Sequence, residues 1–245
     1  MTSVVDLAKL SDAVYTDKVK VEQWLRIGLP FTQQGSGFKS ALFQHMETND
    51  YALAIAGTSP TELDDLKSDA QLAMGLMPNQ YRVARSAYYA VAAVSGGFGG
   101  LYITGHSLGG GLASMLAKEH GDPTVTFNAP GMARAFADLQ SKEPGLSVCE
   151  DKDRKIIHVC ALFDVVSRGT GKHMGGDNTV KRISTNPFGL KEAAIGAIGT
   201  LLSGGNLLVG GVAAGGATAL KAHGMSRMIP VLEKRKDYCE PLDWV

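Results

Sequence analysis

The chain has 245 residues, and its 24 Lys and Arg balance 24 Asp and Glu, so the formal net charge at pH 7 is zero. With no basic cluster, nothing draws it electrostatically to nucleic acid or to an anionic membrane, and any lipid contact has to be apolar. Three cysteines, Cys149, Cys160 and Cys239, are too few and too irregularly spaced for a disulfide scaffold or a zinc site. They read as unpaired thiols, with one bridge in an oxidising compartment left open. The length suits a single domain over residues 1–245. Asp6 comes early, and no basic start, apolar core and small-residue cleavage site follow one another. No Sec signal is therefore visible, and the expectation is a cytoplasmic protein, one exported by a non-Sec route, or a mature chain.

In chain order, Val4, Leu7, Leu10 and Val14 recur at helical steps and predict an amphipathic helix ending near Tyr15. Phe38 to Met46 and Tyr51 to Ala56 read as two strands joined by the polar turn Glu47-Thr48-Asn49-Asp50. Ser59-Pro60-Thr61-Glu62 combines an N-cap, a proline at the first helical position and a glutamate three residues after the cap, so a helix should begin there. A longer helix is predicted over Asn79 to Val94, ended by Gly96-Gly97. Leu101 to Thr104 is an apolar strand that runs into Gly105-His106-Ser107-Leu108-Gly109-Gly110, and Leu112, Ala113, Leu116 and Ala117 continue at helical spacing as far as Gly121 and Pro123. Thr124 to Phe127 and Ile156 to Leu162 are further strands. The alternation predicts an α/β fold, a mostly parallel central sheet flanked by helices on both faces. Active sites of such sheets lie at the carboxyl ends of strands. Gly57-Thr58, Ser107 and Phe163-Asp164 all fall there.

The segment around Ser107 has the form of a nucleophile elbow, in which a serine on a strained strand-to-helix turn projects from the sheet. Gly105 and Gly109 flank it two residues away on each side, where a Cβ would meet the tightly folded chain. The plain alternative is a glycine-rich turn before a helix.

These residues resemble the class 3, fungal-type lipases of the α/β-hydrolase superfamily. Leu7 to Tyr15 is similar to the family's first helix, Ile55-Ala56-Gly57-Thr58 to its oxyanion strand, and Gly105 to Gly110 to its elbow. Thr126-Phe127-Asn128-Ala129-Pro130-Gly131 resembles the segment after the elbow helix, Asp164-Val165-Val166 the acid loop, and His223-Gly224-Met225 the histidine loop. The chain departs from the family pattern at Ala56, Val165 and Gly224, where arginine, proline and serine are usual. The resemblance implies a serine ester hydrolase with catalytic Ser107, Asp164 and His223, in the α/β-hydrolase order of serine, acid and histidine.

The chemistry asks for the same groups. A serine hydroxyl needs a neutral imidazole to take its proton, and that imidazole needs an acid to hold its tautomer. Of six histidines, His106 should point to the opposite side of the elbow, and His158 lies inside a buried strand. His45 sits on the hairpin and His120 at a helix end. His173, in the loop after the acid, is the rival of His223, and Asp177 is the alternative to Asp164, its structural reading being an Asx turn. The N–H groups of Leu108 and Thr58 are the expected oxyanion hole, with the Thr58 hydroxyl as a third donor implied by the resemblance. No cofactor is called for, and the lack of His-Glu-x-x-His or a close His/Asp cluster speaks against a metal.

Between Ala193 and Leu220 the chain carries no charge and is rich in Gly, Ala, Leu and Val. Length alone would span a bilayer, but His223 follows at once and has to return to Ser107. Residues 189–222 are therefore read as a cap, a lipid-contacting insertion or a buried helix pair. The expected substrate is a lipid or other long-chain ester, triglyceride or phospholipid, with transient contact to a lipid interface and no nucleic acid. A secreted antibacterial effector with an immunity protein as partner is one use of such a domain. A catalytically silent hydrolase-fold binding protein is the reading from another class.

Overall fold

A computed structural model describes residues 1–33, 37–57, 66–95, 100–146, 148, 155–162, 164–185 and 223–242. They contain an eight-stranded sheet whose spatial order is its sequence order. β1 (Lys20–Val21), β2 (Trp24–Gln33), β3 (Phe38–His45) and β4 (Tyr51–Ile55) are antiparallel neighbours. From β4 onward, β5 (Leu101–His106), β6 (Thr124–Phe127), β7 (Ile156–Ala161) and β8 (Val180–Ile183) join in parallel. The helices are α1 (Val4–Ala13), α2 (Leu66–Ser95), α3 (Leu108–His120), α4 (Ala133–Lys142), α5 (Val165–Gly169), α6 (Met225–Leu232) and α7 (Lys236–Cys239).

The winding decides which helices cover which face. Crossovers between parallel strands are right-handed, and strands added in one direction only leave their crossover helices on one face. Accordingly Tyr81 of α2, Leu112 and Leu116 of α3 and Phe136 of α4 share a buried cluster with Leu53, Ile55 and Ile103. The opposite face is closed by the two ends of the chain. Leu7 and Leu10 of α1 and Met228 and Leu232 of α6 pack with Ala54, Val125, Phe127 and Val159. Helices thus flank both faces as the sequence predicts. α1 is fixed by a capping box between Ser3 and Asp6, and its buried Ser11 hydroxyl lies 2.8 Å from that of Thr104 on β5.

The hairpin, the elbow strand and helix, β6 and β7 fall where the sequence puts them. Gly121 ends α3 in the left-handed conformation, φ 88°, with its N–H on the Ala117 carbonyl. The helix expected over Asn79 to Val94 is the later part of the longer α2. Thr58, the helix start at Ser59-Pro60, Cys149 and the whole stretch 189–222 lie outside the described residues. Among the described residues no helix is long and apolar enough to cross a membrane.

Candidate active site

β5 passes into α3 with Ser107 as the only residue between them. Its backbone has φ 56° and ψ −132°, a conformation that costs a non-glycine residue on the order of 1–3 kcal/mol and persists only where the surroundings enforce it. Here they do. The Ser107 N–H donates to the Phe127 carbonyl on β6 at 2.9 Å, and the Ser107 carbonyl accepts from Gly111 in the first turn of α3. The glycines permit the close approach: a Cβ on Gly105 would lie 2.5 Å from the Gly109 carbonyl carbon, and one on Gly109 would run into the Ile55 carbonyl and lie 2.6 Å from the backbone of Ala56. β5 and α3 can be this near only with glycine at position 105, and β4 and α3 only with glycine at position 109.

Gly57, at the end of β4, meets the elbow directly. A Cβ there would stand 3.0 Å from the Ser107 Cβ and 2.7 Å from the His106 carbonyl. Gly57 and the elbow, distant in sequence, are therefore neighbours at the carboxyl edge of the sheet. Leu108 supplies the first N–H of α3, one of the amides that a helix leaves without an internal partner.

Asp164 follows β7 and N-caps α5, its Oδ2 accepting the Ser167 N–H at 2.7 Å. Its other oxygen, Oδ1, accepts a 2.7 Å hydrogen bond from His223 Nδ1, and both side chains are buried. Burial pushes the Asp164 pKa up, but the hydrogen bond and charge of His223 and the bonds from Ser167 outweigh it, leaving the carboxyl below its usual range. His223 immediately precedes α6, and its buried Nε2 has no hydrogen-bond partner among the described residues. Since Nδ1 carries the proton given to Asp164, Nε2 carries the lone pair. The His223 ring lies beside that of His106, centroids 4.7 Å apart, which brings the base to the residue next to Ser107.

Three residues that sequence reasoning passed over hold this arrangement. The His223 carbonyl accepts from His106 Nε2 and from Asn128 Nδ2, each at 2.7 Å. Asn128, at φ 47° just after β6, also accepts the Ala161 N–H through Oδ1 at 2.8 Å, so it joins β7 to the histidine loop. Tyr15 Oη lies 3.2 Å from His106 Nδ1 and accepts the Gly57 N–H at 2.8 Å. The sequence signals for Asn128 are its position at a strand end and its place in the family-like segment Thr126 to Gly131. Tyr15 closes the predicted helix that resembles the family's first, and nothing in that pattern shows its role.

Residues 6–159, more than half of the chain, match a phospholipase-like family described as the Tle-like phospholipase domain. The chain belongs to that family. Among curated relatives, the extracellular phospholipase A1 of Serratia liquefaciens is 39% identical over 99 residues, 40% of this chain and 29% of that protein. An ATG15 protein of Mycosarcoma maydis, assigned as a lipase, is 40% identical over 73 residues, 29% of this chain and 14% of its own. The chain thus spans under a third of the length of either relative. The Lip2 lipase of Yarrowia lipolytica matches with a TM-score of 0.50 at 18% identity, over 74% of this chain and 77% of that one. Its nonglycosylated form gives 0.51 at 19% identity, over 74% and 78%. That likeness establishes the α/β-hydrolase fold.

The Tle-like match ends before the acid and the base, so their pairing rests on the geometry. Asp164 is bonded to His223, while His173 sits under the acid turn with its Nε2 on the Ser167 carbonyl at 3.0 Å. His158 is a core residue, 2.7 Å from the Thr126 hydroxyl and 3.1 Å from the Met174 carbonyl; burial and the neighbouring His173 lower its pKa to about 3. His45 Nδ1 accepts the Glu47 and Thr48 N–H groups in the hairpin turn, and His120 stacks on Tyr88. Asp177 opens a short 3₁₀ turn, Asp177–Thr179.

Proposed function

We propose that this Tle-like phospholipase domain hydrolyses carboxylic esters of lipids through an acyl-enzyme on Ser107, with His223 as general base and acid and Asp164 as its partner. The observation that carries the proposal is the buried Asp164–His223 hydrogen bond, with the His223 ring 4.7 Å, centroid to centroid, from that of His106, the residue next to a serine held on a strained elbow. Attack of the Ser107 oxygen on the ester carbonyl transfers the hydroxyl proton to His223 Nε2. The oxyanion that forms is held by the N–H of Leu108 and, in this proposal, of Thr58. His223 then gives the proton to the departing alcohol, and water repeats the cycle on the acyl-serine to release a carboxylic acid.

Of the two lipid classes, a glycerophospholipid is the favoured substrate, because both the family and the Serratia relative are named for phospholipid hydrolysis. Such a substrate sits in an aggregate, so the proposal includes transient contact with a lipid surface. Leu29 and Phe31 on β2, 88% and 44% exposed, offer apolar surface for it. Phe31 pairs with Ser40 and Ser40 with Ile55, which places Phe31 at the sheet edge where Gly57 follows.

The test is hydrolysis of p-nitrophenyl esters, triglyceride emulsions and phospholipid vesicles by the wild type and by Ser107→Ala. Activity on vesicles that disappears in the variant supports the reading. Preference for triglyceride would change the substrate class, and an equally active Ser107→Ala protein would remove the serine mechanism.

A further inference from the structure

We propose that His106, together with Tyr15, is a positioning residue that locks the backbone of the base to the oxyanion strand through one directed chain of hydrogen bonds. The inference deepens the serine mechanism proposed above and rests on it.

The direction of the chain follows from which atoms can donate. The His223 carbonyl oxygen can only accept, so the His106 Nε2 that lies 2.7 Å from it carries the ring proton. His106 Nδ1 is then the lone-pair nitrogen and accepts from the Tyr15 phenol at 3.2 Å, the nearer of its two acceptors, the other being the His106 carbonyl at 3.5 Å. With its proton committed, the Tyr15 oxygen accepts the Gly57 N–H at 2.8 Å. The result reads Gly57 N–H to Tyr15 O–H to His106, and His106 N–H to the His223 carbonyl. The opposite tautomer would set a ring lone pair against a carbonyl lone pair at 2.7 Å. Burial, with a smaller contribution from His223, lowers the His106 pKa to about 3, so the ring stays neutral and keeps this tautomer at neutral pH.

The chain joins three elements that the sequence keeps apart. Tyr15 comes from the end of α1, Gly57 from the end of β4, and His223 from the start of α6. All three are referred to the residue beside the nucleophile. Asp164 fixes the His223 ring at Nδ1, while His106 and Asn128 fix the backbone from which that ring hangs. Two anchors on one residue leave the His223 ring little freedom. Through Tyr15 the same chain holds the amide of Gly57, the residue before the Thr58 expected to bind the oxyanion. A side chain that merely filled the core would need none of these donors.

A reacting group displaced by about 1 Å costs on the order of a hundredfold in rate. His106→Leu, which removes both hydrogen bonds, should therefore lower kcat on a soluble p-nitrophenyl ester by about ten- to a hundredfold with KM changed less than about threefold. His106→Gln, whose amide nitrogen can again donate to the His223 carbonyl, should recover most of that loss. Tyr15→Phe removes one hydroxyl, keeps the ring, and should also lower kcat alone; it carries the test if the leucine variant does not fold. Melting temperatures of the variants establish that they are folded. Folded variants with unchanged kcat, a loss confined to KM, or a glutamine variant as slow as the leucine one would overturn the proposal. Ser107→Ala in the same assay separates the two readings, because activity surviving that change refutes the serine mechanism whatever His106 does.

Discussion

Replacing Asp164 by asparagine keeps the size of the side chain and changes one oxygen to an amide nitrogen, and the surroundings dictate which one. The Ser167 N–H at 2.7 Å requires an acceptor at the Oδ2 position, so the asparagine oxygen has to stay there and its NH₂ group has to face His223 Nδ1. An NH₂ facing Nδ1 forces the lone pair onto Nδ1 and the proton onto Nε2, where no proton can be received from Ser107. The single amide oxygen can accept from Ser167 or from His223 Nδ1–H but not from both, so restoring the productive tautomer means giving up one of the two 2.7 Å hydrogen bonds, worth ~1.5–3 kcal/mol with a charged acceptor. That cost corresponds to roughly one to two decades in rate at ~1.36 kcal/mol per decade. Loss of the carboxylate charge beside the imidazolium adds to it, and the same change in another serine triad lowers kcat by about 10⁴. The assay is kcat on a soluble p-nitrophenyl ester, backed by the rate of fluorophosphonate labelling of Ser107, and both should fall together. An Asp164→Asn protein within tenfold of wild type on both measures would refute the tautomer argument.

Gly109→Ala should destabilise the fold by about 2–3 kcal/mol, read as the shift of a urea unfolding curve, because its Cβ meets the backbone of β4 and nothing flexible stands in the way. An alanine variant as stable as wild type would show that the strand and helix are not in that contact. In acid, His106 and His158 should both erode stability. Their folded pKa values lie near 3 and the unfolded value near ~6.5, so the unfolded chain takes up protons first, and stability that is complete above pH ~6.5 is lost as the pH falls toward 3. Each group contributes a slope of up to ~1.4 kcal/mol per pH unit in that window, so unfolding curves at pH 7 and pH 5 should differ by several kcal/mol. The contribution of Asp164, whose pKa is depressed, is present above the usual carboxylate range and is lost as the pH falls from that range through the lowered folded value. Leu29→Ser with Phe31→Ser should reduce hydrolysis of phospholipid vesicles at least about fivefold and leave that of a soluble ester unchanged; equal loss on both substrates would assign these residues to folding rather than to lipid contact.

The parts of the fold that are legible in the sequence are those whose cause is local. The elbow can be read because the strand, the glycines and the helix that enforce the Ser107 conformation all lie within a few residues of it. β2 escapes because its apolar residues do not alternate: three residues, Gly28, Leu29 and Pro30, bulge between the Ile27 and Phe31 pairings, and much of the strand is exposed. α4 buries only Phe136 and Leu139, too few to mark a helical stripe, and the two middle residues of β8 face solvent. At the site, Asp164 and His223 could be proposed from chain order, whereas the roles of Tyr15, His106 and Asn128 depend on partners 42, 117 and 95 residues away. His106 looked inert because it faces away from the nucleophile. Facing away is what lets it reach the base.

The layer formed by the chain ends also sets an order of assembly. The Thr2 carbonyl accepts the Leu242 N–H, Ser3 bridges Pro241, and α6 brings His223 into the same layer as α1. A ribosome-bound chain that has emerged only as far as β8 carries the elbow serine and the acid, but the imidazole that would activate the serine has not yet been made. In the proposed mechanism, ester cleavage therefore waits for the segment that seals the back of the sheet. A protease that clipped that segment away would disarm the domain while leaving the crossover helices on the opposite face intact.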